Sequence, residues 1–109
     1  MGAIGEGDIG KHFPPGNPEY KDISSLVILS EVARIMTDKG FGIENIDCTV
    51  VCEEPKISPH APGMEKKIAD ALGIPPEAVN VKGTSTDGLG FPGRKEGIAA
   101  LASACLRVL

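Results

Sequence analysis

The sequence predicts an α/β fold, and three observations carry that expectation. Apolar residues recur at helical spacing in three segments, apolar residues alternate in two segments between them, and short proline- or glycine-rich joins separate the elements. Residues 1–7 (MGAIGEG) carry no start signal and read as the frayed end of an earlier helix. Residues 8–22 hold Pro14, Pro15, Pro18, Gly10 and Gly16, and read as a loop with the irregular backbone on which sites are often built.

A helix is expected over about 24–39, where Leu26, Leu29, Val32, Ala33 and Met36 form one stripe. Asp22, Ser24 or Ser25 can cap its start and Gly40 can end it. Burying such a stripe is worth about 1.5–3 kcal/mol per large side chain before entropy is counted, so the helix must pack on something. Residues 46–52 read as a strand, with Ile46, Cys48, Val50 and Cys52 on one face. A second helix is expected over about 62–72, with Met64, Ile68, Ala71 and Leu72 inward and Gly73 closing it. Residues 79–84 read as a second strand. A last helix is expected over about 95–109, with Ile98, Leu101, Ala102, Cys105, Leu106 and Leu109 as its stripe. Two strands are too few to stand alone, so further strands are expected from outside this chain or from other subunits.

The 109 residues suit a single domain, with 41% hydrophobic and 24% charged residues. The net charge of -4 lacks the basic footprint of a nucleic-acid binder. No stretch is apolar enough to span a bilayer, so no membrane partner is expected. Cys48, Cys52 and Cys105 are odd in number and lack metal-like spacing; all three read as small buried apolar residues, and a reducing cytoplasm fits.

Three segments hold residues suited to chemistry. Residues 82–94 follow a strand and contain Thr84, Ser85 and Thr86, the acid Asp87, four glycines and Arg94. Glycines let backbone N–H groups approach a ligand, hydroxyls donate to phosphate oxygens, arginine neutralises them, and an acid can hold a bridging divalent cation. Phosphate binding and a long turn into a helix are both open here. Residues 52–60 also leave a strand end, where ligands of sheet proteins gather, and Lys56 can meet a diphosphate; a proline-stiffened surface loop is the competing reading. Asp8 can accept from sugar hydroxyls beside a rigid Phe13-Pro14-Pro15-Gly16-Asn17 loop, which by itself reads as structural. His12 and His60 lie in different loops, at no zinc-ligand spacing, and read as surface or locally bonded groups.

Taken together, GDIGKHFPPGNP at 7–18, EEPKISPHAPGM at 53–64 and VNVKGTSTDGLGFPGRKEGIA at 79–99 resemble the 2-C-methyl-D-erythritol 2,4-cyclodiphosphate synthase family over essentially the whole chain. The resemblance implies a small mixed β-sheet covered by helices on one face, in a homotrimer with active sites between neighbours. It implies a phosphorus–oxygen lyase of non-mevalonate isoprenoid biosynthesis. In that reaction the 2-phosphate of 4-diphosphocytidyl-2-C-methyl-D-erythritol 2-phosphate attacks the diphosphate, closing a cyclic diphosphate and expelling CMP.

By the same resemblance, Asp8, Ile9 and Gly10 lie at the cytidine ribose, and Phe13, Pro14, Pro15, Gly16 and Asn17 form a mobile loop over the methylerythritol phosphate. Cys52, Glu53, Glu54, Pro55, Lys56, Ile57 and Ser58 enclose cytosine, with Lys56 near the phosphates. Thr84, Ser85 and Thr86 contact the diphosphate, Ser85 stabilises the transition state, and Asp87 binds magnesium. Phe91 and Arg94 lie near the threefold axis, with Glu96 as a partner for Arg94. The cofactors implied are divalent cations, zinc together with magnesium or manganese. The family commonly has Glu at Asp87 and Thr at Ser85. Its zinc ligands, an Asp-x-His and a later His, match nothing here and would precede Met1. The expectation is therefore an N-terminally incomplete domain, in which the chain alone forms no zinc site and turns over little or no substrate. A silent subunit that only assembles or binds nucleotide is the alternative, and an unrelated nucleotide-binding enzyme is a more remote one.

Overall fold

A computed structural model describes all residues, Met1–Leu109. After a 3-10 turn at Gly2–Ile4 come α1 (Ile9–His12), a second 3-10 turn (Pro18–Tyr20), α2 (Ser25–Asp38), β1 (Phe41–Val51), α3 (Ala61–Leu72), β2 (Val79–Thr84), α4 (Gly90–Gly93) and β3 (Ala99–Val108). The sheet order is β2-β1-β3. β2 runs parallel to β1, from Ile46 opposite Val79 to Val51 opposite Thr84. A parallel pair needs a crossover, which α3 makes. β3 runs antiparallel to β1, from Phe41 opposite Val108 to Val51 opposite Ala99, with an irregularity at Ile43/Asn45.

The expected mixed sheet with helices on one face is what forms. α3 packs on β2 and α2, and α2 packs on β1. Cys52, Ile57, Ala69, Val79 and Val81 make the buried cluster, with Cys48, Val50, Met64 and Ile68 against it. Ala69 is fully buried, so a larger side chain on that face of α3 would force it off the sheet. Ser24 caps α2 through its hydroxyl, which accepts from Leu26 N at 3.3 Å. Gly73 ends α3 at φ 68°, the left-handed region open to glycine. On the outer edge of β2, Glu65 of α3 accepts from Val81 N at 3.1 Å and supplies the partner that the edge strand lacks.

Several expectations are corrected. The last helix, over 95–109, is absent: this stretch is the strand β3. Both periods fit its letters, since Ala100, Ala102, Ala104, Leu106 and Val108 alternate with Leu101, Ser103, Cys105 and Arg107. Alanine favours helix locally, but the open edge of β1 offers a full ladder of backbone partners, and pairing prevails. Arg107 adds to this by donating from Nη1 to Ile43 O at 2.9 Å. The third strand therefore lies within the chain. β1 begins at Phe41, earlier than expected, and the 8–22 stretch is broken by α1 and a 3-10 turn. Cys105 is exposed rather than buried; Cys52 is buried and Cys48 partly so. Burial pushes the Cys48 thiol up, with Asp47 adding to the effect. No helix is long and apolar enough to cross a membrane.

Candidate functional site

The site follows from the parallel pair. Because Val51 lies opposite Thr84, β1 and β2 end side by side, and their exit segments leave in the same direction. Cys52 N donates to Thr84 O at 3.0 Å, carrying the ladder one step past the strands. The β1 exit then turns tightly. Cys52 Sγ donates to Pro55 O at 3.4 Å, and the Glu54–Pro55 peptide is cis. Ile57 is buried behind the turn and fixes its far end. Gly83 makes this possible, since a Cβ there would stand 2.7 Å from Ile57 Cβ.

Between the exits lies an open concavity of about 300 Å³, lined by residues 52, 53 and 55–58 from one side and 83–85 from the other. Lys56 is the one cation lining it and joins none of the chain's ion pairs. Its ammonium is therefore uncompensated and suited to an anion. Ser85 presents an exposed hydroxyl that lies 3.4 Å from Asp87 Oδ1. Asp87 itself is at φ 54°, so the turn bends back sharply after Ser85. Glu53 is held differently: Oε1 accepts from Thr86 N at 3.1 Å and from Gly88 N at 3.3 Å. Glu54 pairs with Lys95 at 3.1 Å.

The structure thus brings together two of the three segments singled out in the sequence, and leaves the third apart. Phe13, Pro14, Pro15, Gly16 and Asn17 line a separate concavity against Tyr20, Ile23 and Ile28. Phe13 and Tyr20 meet edge-on at 5.4 Å and fold that loop on itself. Asp8 caps α1, accepting from Lys11 N at 2.9 Å, and Asn17 Oδ1 accepts from Glu19 N at 3.0 Å. Ile9 is exposed beside Gly10. His12 Nε2 bonds Glu6 O at 2.9 Å, a local role as expected. Thr86, Asp87, Phe91 and Arg94 lie outside the 52–58/83–85 concavity. Arg94 Nε donates to Glu96 Oε1 at 2.6 Å, the partner anticipated for it. Gly83 and the inward grip of Glu53 escaped the sequence reading; a glycine inside a strand was the available signal for the first.

Comparison with known proteins decides the family. The model of the YgbB family matches residues 1–107. The chain belongs to the YgbB family. This YgbB chain is 57% identical over 102 residues to a protein of Caldicellulosiruptor bescii named 2-C-methyl-D-erythritol 2,4-cyclodiphosphate synthase, covering 94% of this chain and 65% of that one. It superposes on the bifunctional IspDF of Campylobacter jejuni with a TM-score of 0.95 at 37% identity, over 99% of this chain and 29% of that one. It superposes on a CDP complex of Plasmodium falciparum IspF with a TM-score of 0.82 at 31% identity, over 98% of this chain and 63% of that one. The YgbB chain therefore spans less than two thirds of the length of these relatives.

Proposed function

We propose that the paired exit segments of β1 and β2 bind the cytidine diphosphate group of 4-diphosphocytidyl-2-C-methyl-D-erythritol 2-phosphate, as part of a cyclodiphosphate synthase of isoprenoid biosynthesis. The observation that carries this reading is the meeting of 52–58 and 83–85 around one concavity, lined by an unpaired Lys56 and an exposed Ser85. Backbone groups of 52–58 read the base edge, Lys56 neutralises phosphate, and Thr84 and Ser85 donate to phosphate oxygens. In the reaction an oxygen of the 2-phosphate forms a bond to the diphosphate phosphorus that bears the methylerythritol, and the bond from that phosphorus to the bridging oxygen breaks, with CMP leaving. Such a transfer is driven by positioning and charge neutralisation rather than by a nucleophilic side chain. The Ser85 hydroxyl serves it by donating to the oxygen on which charge builds.

No three His, Cys, Asp or Glu side chains converge in this chain, so its residues by themselves do not compose a zinc centre. For magnesium or manganese carried with the phosphates, Asp87 is the carboxylate that this chain offers, and the cation would supply charge neutralisation. Completion by neighbouring copies fits the separate location of 13–17, which would reach a site from another subunit of a homotrimer. The chain by itself is expected to bind nucleotide with little or no release of CMP from substrate.

Calorimetric titration tests the reading. CDP is expected to bind more tightly than ATP, and K56A and S85A are each expected to weaken CDP by about tenfold while melting as the parent does. Equal affinity for ATP, or unchanged CDP binding in both variants, overturns the assignment. CMP release by the purified 109-residue chain at a rate typical of enzymes would overturn the expected lack of turnover.

A further inference from the structure

We infer that Glu53 is a positioning residue: it holds the 84–88 turn in its ligand-receiving shape and does not contact the ligand through its carboxylate. A carboxylate lining a concavity suited to phosphate needs an explanation, because a free negative charge there would repel the ligand. The geometry supplies one. Glu53 Oε1 takes up the backbone N–H of Thr86 at 3.1 Å and of Gly88 at 3.3 Å, with the Thr86 hydroxyl at 3.5 Å. The charge is thus taken up by donors that have no partner in the sheet.

These bonds matter because beyond Thr84, whose carbonyl accepts from Cys52 N, the turn's hydrogen bonds to the β1 exit all run to Glu53. Within itself it is closed by Leu89 N to Thr86 O at 3.1 Å and by Gly93, which lies so close to Gly88 that a Cβ would overlap it at 2.2 Å. Those contacts close the turn on itself. Glu53 adds a tie beyond the ladder, since it sits three residues before Lys56 and reaches residues on either side of Asp87. The neighbouring Glu54 reaches the far end, in an exposed ion pair with Lys95. Two consecutive carboxylates on the β1 exit thus contact the start and the end of the 86–95 arch, Glu53 through backbone N–H groups and Glu54 through a side chain. Together with the Cys52 N–Thr84 O bond and the Ile57–Gly83 contact, these ties bear on the spacing between Lys56 and Ser85, the two groups assigned to the diphosphate. The ligand assignment in this inference rests on the proposed function; the grip on the turn does not.

The test separates the two. Amide exchange is measured by NMR on the parent, E53A and E53Q, and each protein is titrated with cytidine and with CDP. In E53A the amides of Thr86 and Gly88 are expected to exchange about tenfold faster, while those of β1 and β2 stay protected. CDP affinity is expected to fall about tenfold with cytidine affinity unchanged, and E53Q, whose neutral amide oxygen still accepts, is expected to recover part of both. E53Q alone carries the test if E53A does not fold, with a smaller change at the same two amides. Unchanged exchange at 86 and 88, or equal loss of cytidine and CDP affinity in a folded variant, overturns the inference. A parent that binds CDP no better than cytidine overturns the proposed function instead, and the exchange result still decides the grip.

Discussion

At the scale of single residues, the site depends on what is small and what is unpaired. Gly83 is needed because Ile57 occupies the space where a side chain would go. G83A is expected to cost about 1–3 kcal/mol, read as a lower melting temperature, and to weaken CDP binding, because either Ile57 or the β2 exit must shift. Unaltered melting and binding would mean the two segments are not in close contact. Asp47 gives a pH-dependent counterpart on the sheet. The Lys82 ammonium, and after it the Asn80 amide, hold its carboxyl below its ordinary value of 3.8. The folded state therefore binds this proton less readily than the unfolded one. The stabilisation is present above that ordinary value and is lost as pH falls through the lower folded value. Melting temperature between pH 5 and pH 2 should fall less steeply in D47N than in the parent, and equal slopes would remove the ion pair from the account.

At the scale of elements, the edge of β2 and the identity of β3 matter most. Glu65 reaches from α3 to Val81 N, so E65A leaves a donor of a buried residue unpartnered and is expected to cost about 1–3 kcal/mol in chemical denaturation, with E65Q recovering most of it. No change in E65A would show water serving the edge equally well. Much of this level was legible in the sequence. α2, α3 and β2 announced themselves by apolar spacing, by Ser24 at one end and by Gly73 at another, which are local signals. β3 was not legible, because the alternation of 99–108 and its helical spacing coexist, and only the presence of β1 alongside decides between them. The same logic applies to the site. The 52–58 and 84–87 segments could be picked out by their residues, but their meeting depends on register, which pairs Val51 with Thr84. The roles of Glu53 and Gly83 are set by partners about 30 residues away in the chain, and no local pattern encodes them.

At the scale of the whole molecule, the core is thin: nine residues are buried, and none of the large side chains is fully enclosed. The helices cover β1 and β2, whereas Leu101 and Val108 of β3 remain 63% and 81% exposed, as does much of the surface around them. Such an apolar strand at a sheet edge fits a chain whose family members are longer and which is proposed to assemble with further copies. The central claim is narrower than the assembly: register places two strand exits side by side, and those exits are proposed to receive a cytidine diphosphate. A 15N-labelled chain titrated with CDP measures this directly. The account predicts saturable shifts concentrated at Glu53, Lys56, Gly83, Ser85 and their neighbours, with the amides of α2 unmoved. Shifts confined to the 13–28 concavity, or none at all at millimolar CDP, would contradict it.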